Sequence, residues 1–262
     1  MLVYNAAGPR CKELGDIKAL LKTKIPKITI GSITLKADEG NNGFVSWEDT
    51  MGNTLNSIGL RNRGFGYYRK ILPKLIASAR TQIRVSIAGS TPAEYAWLAR
   101  ELLALGVKEI EVNASCPNVW KSGKQKTIAT YDHALLRAIV AKIEKVSNQK
   151  IFDYKLSPIP DPTELKVVAK ILSDARHVRA VVTSNTFPNA FAKRIGLAGL
   201  GGTSLHYIAL GQVYQFRKLL PKRISVVGVG GISTQAHVRR FKNAGADEVQ
   251  IGSHYFKKGP SV

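Results

Sequence analysis

Cysteine is scarce in this chain: Cys11 and Cys116 are the only two in 262 residues. Two thiols so far apart exclude a disulfide framework or a cysteine-based zinc site, and both are expected to be reduced. The five histidines show no His-Glu-x-x-His spacing, so no metal is expected and they are read as structural. Long apolar runs are missing too. None approaches the roughly 20 residues that span a bilayer, and the first residues lack the charged and apolar parts of a secretory signal. A cytoplasmic protein with no membrane contact is the reading that follows. Acidic residues are outnumbered, with 18 Asp and Glu against 39 Lys and Arg, a formal net charge of +21. Such a field attracts nucleic acid and anionic small molecules alike. The basic residues are spread along the chain, from Lys22 and Lys27 to Arg217, Lys218, Lys222 and Arg223, rather than interleaved with aromatics in one block. Nucleic acid is therefore kept as a secondary partner and is not favoured.

What is present is the patterning of a globular α/β domain. Hydrophobic residues make up 44% of the chain and no composition break marks a linker, so residues 1–262 are read as one domain. Short alternating or apolar runs at 2–5, 27–30, 83–87, 110–113, 151–156, 180–183, 225–229 and 248–251 read as strands. Helical periodicity separates them at 13–21, 67–79, 92–105, 132–146, 163–175, 205–219 and 234–244. The third of these helices has a strong start, with Thr91 as N-cap, Pro92 at the first position and Glu94 at the third. Two stretches stand outside the alternation: a polar excursion over 36–53 and a Gly-rich loop over 196–202. Eight strand units with a helix after every strand but the last predict a parallel sheet closed into a (β/α)8 TIM barrel whose final helix is missing. A partner subunit would then cover the seam.

In that fold the loops after the strands form the active face. Asn5-Ala6-Ala7-Gly8-Pro9 is a turn of small residues after the first strand, through which a flat ligand could reach backbone. Gly230-Gly231 and Gly252-Ser253 follow the last two strands, where barrels commonly hold phosphate on backbone amides. Neither a Walker loop nor a Gly-x-Gly-x-x-Gly turn opening a βαβ unit occurs, which excludes the usual nucleotide signatures. Lys155 ends the fifth strand as either a snorkelling surface residue or a ligand contact. Together these features suit a flavin mononucleotide, FMN, across the barrel mouth, with a cation near its N1 edge to stabilise the reduced form. Between two carboxamides, Asn113 and Asn118, the Ser115-Cys116-Pro117 turn lifts a thiol into a loop. On residue types alone that thiol is equally a buried structural group or an acid/base catalyst.

Asn5-Ala6-Ala7-Gly8, Asn56-Ser57-Ile58-Gly59-Leu60-Arg61-Asn62, Asn113-Ala114-Ser115-Cys116-Pro117-Asn118, Tyr154-Lys155-Leu156, Ser184-Asn185-Thr186 and Gly228-Val229-Gly230-Gly231-Ile232 occur in this order. Together they resemble the dihydroorotate dehydrogenases over essentially the whole chain, and the cysteine is similar to that of the class 1 enzymes, where class 2 enzymes carry serine. The resemblance implies FMN-dependent oxidation of dihydroorotate to orotate in pyrimidine biosynthesis. It implies that Cys116 takes the C5 proton while a hydride passes from C6 to flavin N5. Asn56, Ile58, Gly59, Leu60, Asn113, Asn118, Asn185 and Thr186 would hold the substrate. Ala6, Ala7, Gly8, Gly31, Ser32, Asn113, Lys155, Thr186, Gly201, Gly202, Gly230, Gly231, Gly252 and Ser253 would contact FMN. A second electron acceptor, fumarate-like or a partner subunit, and a homodimer are also implied. Class 1 members usually carry lysine where this chain has Gly31, and Lys12 and Arg10 are the candidate replacements. The runners-up are a tRNA-dihydrouridine synthase, another FMN barrel with a Cys-Pro motif, and a non-catalytic basic barrel that binds RNA.

Overall fold

The computed structural model describes residues 1–262 except 24, 44, 122, 123 and 259–262. The chain begins with β1 (Leu2–Asn5), α1 (Leu14–Leu21), β2 (Lys27–Ile33), β3 (Ser46–Glu48), β4 (Asn53–Asn56), α2 (Phe65–Ser78), β5 (Gln82–Ile87) and α3 (Pro92–Ala104). It continues with β6 (Ile110–Asn113), the short pair β7 (Trp120–Lys121) and β8 (Lys124–Gln125), α4 (His133–Glu144), β9 (Phe152–Leu156), α5 (Pro162–Asp174) and β10 (Val178–Thr183). The last part holds β11 (Phe187–Ala192), β12 (Gly196–Gly202), α6 (Leu205–Leu219), β13 (Ser225–Val229), α7 (Gln235–Asn243), β14 (Glu248–Ile251) and α8 (Ser253–Lys258). No described helix is long and apolar enough to cross a membrane.

Helix starts follow from local chemistry. Thr91 accepts the Glu94 amide at 3.2 Å and Glu94 returns a bond from the Ser90 amide at 2.7 Å, which satisfies donors that a helix leaves open. Asp132, Asp161 and Thr234 cap α4, α5 and α7 in the same way.

Eight parallel strands pair in the order β1-β14-β13-β10-β9-β6-β5-β2, so β1 and β2 are the two ends of the ladder. A side chain joins them. Asn5 Nδ2 donates to the Thr29 carbonyl at 2.8 Å, and its Oδ1 accepts the Thr29 amide at 3.0 Å, so one carboxamide stands in for a peptide group. The Gly8 amide then donates to Gly31 at 3.1 Å along the same seam. The expected eight-stranded barrel is thus present, with two corrections. The short helix α8 follows the last strand, where none was expected. And the excursion at 36–53 and the Gly-rich stretch at 196–202 are not plain loops: β3, β4, β11 and β12 form a four-stranded antiparallel sheet in the order β11-β12-β4-β3.

Alternation along the barrel strands separates two interiors. Ile28, Ile30, Val85 and Ile87 point outward into the main core, where Leu98, Leu102, Leu136, Ile139, Leu165 and Val168 of the helices cover them. Each such side chain contributes about 1.5–3 kcal/mol by leaving water. Inside the ring, Tyr4, Ala6, Ala180, Val182, Val227 and Val229 make a small apolar cluster. The rest of the interior is ionic. Arg84, fully buried, donates to Asp153 at 2.7 Å, to Glu111 at 2.9 Å and to Thr29 at 2.9 Å. Gln250 on β14 donates to Glu111 on β6 at 3.0 Å, straight across the ring. Below them Lys27 pairs with Glu109 and Glu248, and Arg179 with Asp153 and Glu248.

Removing one partner from a buried ion cluster leaves an uncompensated charge. Arg84→Met is therefore expected to cost about 3–5 kcal/mol in urea denaturation, and a loss below about 1 kcal/mol would show that Arg84 is not the hub of the interior.

Candidate active site

The C-terminal ends of the strands open into a cavity of about 670 Å³, within the usual range for small-molecule sites. The four-stranded sheet roofs one side of it. β4 supplies Thr54 and Asn56, β12 supplies Gly201 and Gly202, and the cross-strand pair Gly201 and Thr54 sets them side by side.

The loop after β6 is tied down on every side. Asn113 donates to Ser32 Oγ at 2.8 Å, and Ser32 and Ser86 hydroxyls meet at 2.8 Å. The Asn113 Oδ1 accepts both the amide and the hydroxyl of Ser115, at 3.2 and 2.9 Å. From the other side Asn185 donates to Ser115 Oγ at 3.0 Å and Ser157 Oγ to the Ser115 carbonyl at 3.2 Å. Asn118 reaches across to β4, donating to the Asn56 carbonyl at 2.7 Å and to its Oδ1 at 3.0 Å. Cys116 is held at the centre of this lattice, half-buried and free. Burial pushes its thiol up from the ordinary value, against the Asn118 amide and the charges of Lys12, Lys126 and Lys155. At neutral pH the resting group is the protonated thiol.

Two lysines reach the cavity from below. Lys155 is 5% exposed and lines the cavity, yet no hydrogen bond or ion pair from its ammonium forms among the described residues. Lys12 lines the cavity from the β1 side and is also buried, whereas Arg10 is exposed at the rim.

At the far end, Gly202, Gly230, Gly231, Gly252 and Ser253 converge with Thr203 and Ser233. Gly231 takes a φ of 61°, and an added Cβ there would lie 2.8 Å from the Gly202 carbonyl. Backbone from two strands therefore closes in as no side chain would allow.

Every residue expected at the site lines this cavity except Gly31. Its φ is 112° and an added Cβ would lie 2.4 Å from the Ser86 carbonyl, so it packs against β5 rather than facing the opening. The sequence reading missed Thr54, Ser184, Thr203, Ser233, Ser46 and Glu48. Ser184 had a signal, since it directly precedes Asn185 at a strand end. Ser46 and Glu48 had none, because β3 is exposed at all three residues and carries no burial pattern.

The sequence profile of the dihydroorotate dehydrogenase family matches residues 2–262. This chain belongs to that family. Among dihydroorotate dehydrogenases, the type B (NAD(+)) catalytic subunit of Porphyromonas gingivalis is 31% identical over 258 residues, covering 95% of this chain and 79% of the relative. The type B catalytic subunit of a Thermoanaerobacter species is 34% identical over 238 residues, covering 87% and 75%. The type A (fumarate) enzyme of Lactococcus lactis subsp. lactis is 28% identical over 271 residues, covering 98% and 85%. A crystal structure of the Eimeria tenella enzyme in complex with ferulenol superposes with a TM-score of 0.81 at 16% identity, over 98% of this chain and 77% of that one, and shares the fold. This dihydroorotate dehydrogenase family member is accordingly an oxidoreductase of the α/β barrel class.

Asn113 is the knot of the loop, and its loss would remove one of the two buried partners of the Ser32 hydroxyl and the acceptor of the Ser115 amide and hydroxyl. Asn113→Ala is expected to destabilise the fold by about 1–3 kcal/mol, measured by thermal or urea unfolding.

Proposed function

We propose that this chain oxidises (S)-dihydroorotate to orotate in pyrimidine biosynthesis, with FMN in the cavity and Cys116 as general base. The observation that carries the reading is a free thiol and a buried ammonium, Lys155, that makes no hydrogen bond or ion pair among the described residues, both opening into one cavity ringed by carboxamides. The residues present fit a flavin. Lys155 offers a cation to an electron-rich ring edge, Ser184 Oγ is buried at the cavity wall with no hydrogen-bond partner among the described residues, and the glycine backbones around Gly202, Gly230 and Gly231 leave room that a Cβ would fill. Ala6, Ala7, Gly8, Ser32, Asn113, Lys155, Thr186, Gly201, Gly202, Gly230, Gly231, Gly252 and Ser253 would hold it. When bound, FMN supplies a two-electron acceptor for hydride.

The protein's own part is binding and proton transfer. As a thiolate, Cys116 accepts the proton from C5 of dihydroorotate, the C6 hydrogen leaves with its electron pair, and the C5–C6 double bond of orotate forms. Asn56, Asn118, Asn185 and Thr186, with the loop Ile58, Gly59 and Leu60, pair and enclose the pyrimidine edges. Carboxamides offer both donors and acceptors, so an analogue that cannot match them leaves buried groups unpaired. The relatives' names include NAD(+) and fumarate types, so a fumarate-like acceptor or a partner subunit is the proposed route for reoxidation. A homodimer is proposed as the working state.

Purified protein loaded with FMN should bleach anaerobically on adding dihydroorotate, followed by flavin absorbance; no bleaching would overturn the substrate. Cys116→Ala should keep FMN but slow bleaching by about 10²-fold or more. Because burial raises the thiol, the wild-type reduction rate should climb through pH 6–9, roughly tenfold per unit below the thiol pKa, in stopped-flow measurements.

A further inference from the structure

Lys12 is a buried charge with no ion-pair partner among the described residues. Its side chain is only 9% exposed, and its Nζ donates to the Arg61 carbonyl at 2.7 Å. That neutral oxygen takes one of three ammonium protons. None of the ion pairs formed among the described residues includes Lys12. Burying an uncompensated ammonium opposes folding, so its retention calls for an anion that arises in use. The groups whose charges reach it are Cys11, Cys116, Asp38 and Arg61. Arg61 has the wrong sign. The Asp38 carboxylate accepts the Gly40 amide at 2.7 Å, forms no ion pair with Lys12 among the described residues and does not line the cavity. Cys11 is fully buried, its Sγ donates to the Gly31 carbonyl at 3.3 Å, and its thiol is pushed up to about 11 by burial, so it stays neutral. Cys116 remains, half-buried on the cavity that Lys12 also lines.

We propose that Lys12 is the positioning residue for proton abstraction by Cys116: its ammonium favours the thiolate and sets the pH range in which the base works. This rests on reading Cys116 as the base. The other groups around the thiol do not make Lys12 redundant. Lys126 donates to the Gly89 carbonyl and lies 6.0 Å from the Tyr95 ring, a phenol that stays protonated because burial raises it. Lys155 also feels Glu111 beneath the cavity floor, and so divides its charge between the cavity and the barrel interior. Lys12 alone combines burial, a neutral hydrogen-bond partner and a place on the same cavity wall. Its bond to Arg61 also ties it to the loop carrying Asn56 to Leu60.

The test needs no substrate. Iodoacetamide alkylation of Cys116 is followed from pH 6 to 10 by mass spectrometry of its peptide in wild type, Lys12→Met, Lys12→Gln and Lys12→Arg. The midpoint should rise by roughly one pH unit in the Met and Gln variants, making alkylation about tenfold slower at pH 7.5; Lys12→Arg should stay near wild type. An unchanged midpoint in either neutral variant overturns the proposal. Removing a buried charge should leave Lys12→Met folded, and Lys12→Gln supplies the same comparison should it not be. If the midpoint shifts while dihydroorotate fails to bleach the flavin, the substrate reading falls and the role of Lys12 toward the thiol stands.

Discussion

The guanidinium of Arg84 is the constraint on which the closed sheet depends. Barrels are usually filled by layers of branched apolar side chains. Here one side of the ring is filled that way, by Tyr4, Ala180, Val182 and Val227, and the other by charge. Arg84 can be dry because Asp153 and Glu111 accept hydrogen bonds from it and the Thr29 and Tyr4 hydroxyls accept the others. Those carboxylates come from neighbouring strands, so satisfying the cation fixes the registers of β5, β6 and β9 against one another. A residue slip would turn every one of these groups outward.

That charge does not stop at the bottom of the barrel. Glu111 is held low, against its own burial, by Arg84 and by Lys155, the cation of the cavity. Ser86 follows Arg84 on β5 and passes the polar column upward to Ser32, which receives Asn113, which holds the cysteine loop. The interior of the barrel and the candidate site are thus one hydrogen-bonded system, read from the foot of the strands to their tips. Such networks are strong when every member is paired and costly when one is not.

Much of this was legible in the sequence. The strands and helices of the barrel declare themselves through alternation, 3.6-residue periodicity and caps such as Thr91, all of which act over a few residues. The site was legible for a related reason: small residues and carboxamides cluster at strand ends, and the alternation shows which end. The antiparallel roof was not. Gly196–Gly202 has the composition of a loop, and β3 is exposed at all three residues, so neither carries the burial pattern that marks a strand. Gly31 does not line the cavity, because facing direction at a strand end depends on backbone dihedrals that residue identity alone does not set. Lys12 was named as a candidate, but nothing in its neighbours distinguishes it from Arg10; only burial does.

The seam between β1 and β2 gives the barrel a clasp. Elsewhere the circumference is held by continuous backbone ladders, which demand that adjacent strands match pleat for pleat. At this joint the strands are connected by the carboxamide of Asn5 and, beyond it, by the single bond from the Gly8 amide to the Gly31 carbonyl. A side-chain link does not require β1 and β2 to match pleat for pleat, so the ring is shut here without a ladder. The Asn5 link lies directly beneath Ala6, Ala7 and Gly8 on one side and Gly31 and Ser32 on the other. The rim of the cavity at this edge, lined by Ala6, Ala7, Gly8 and Ser32, is thus set by one side chain and one backbone bond rather than by a ladder.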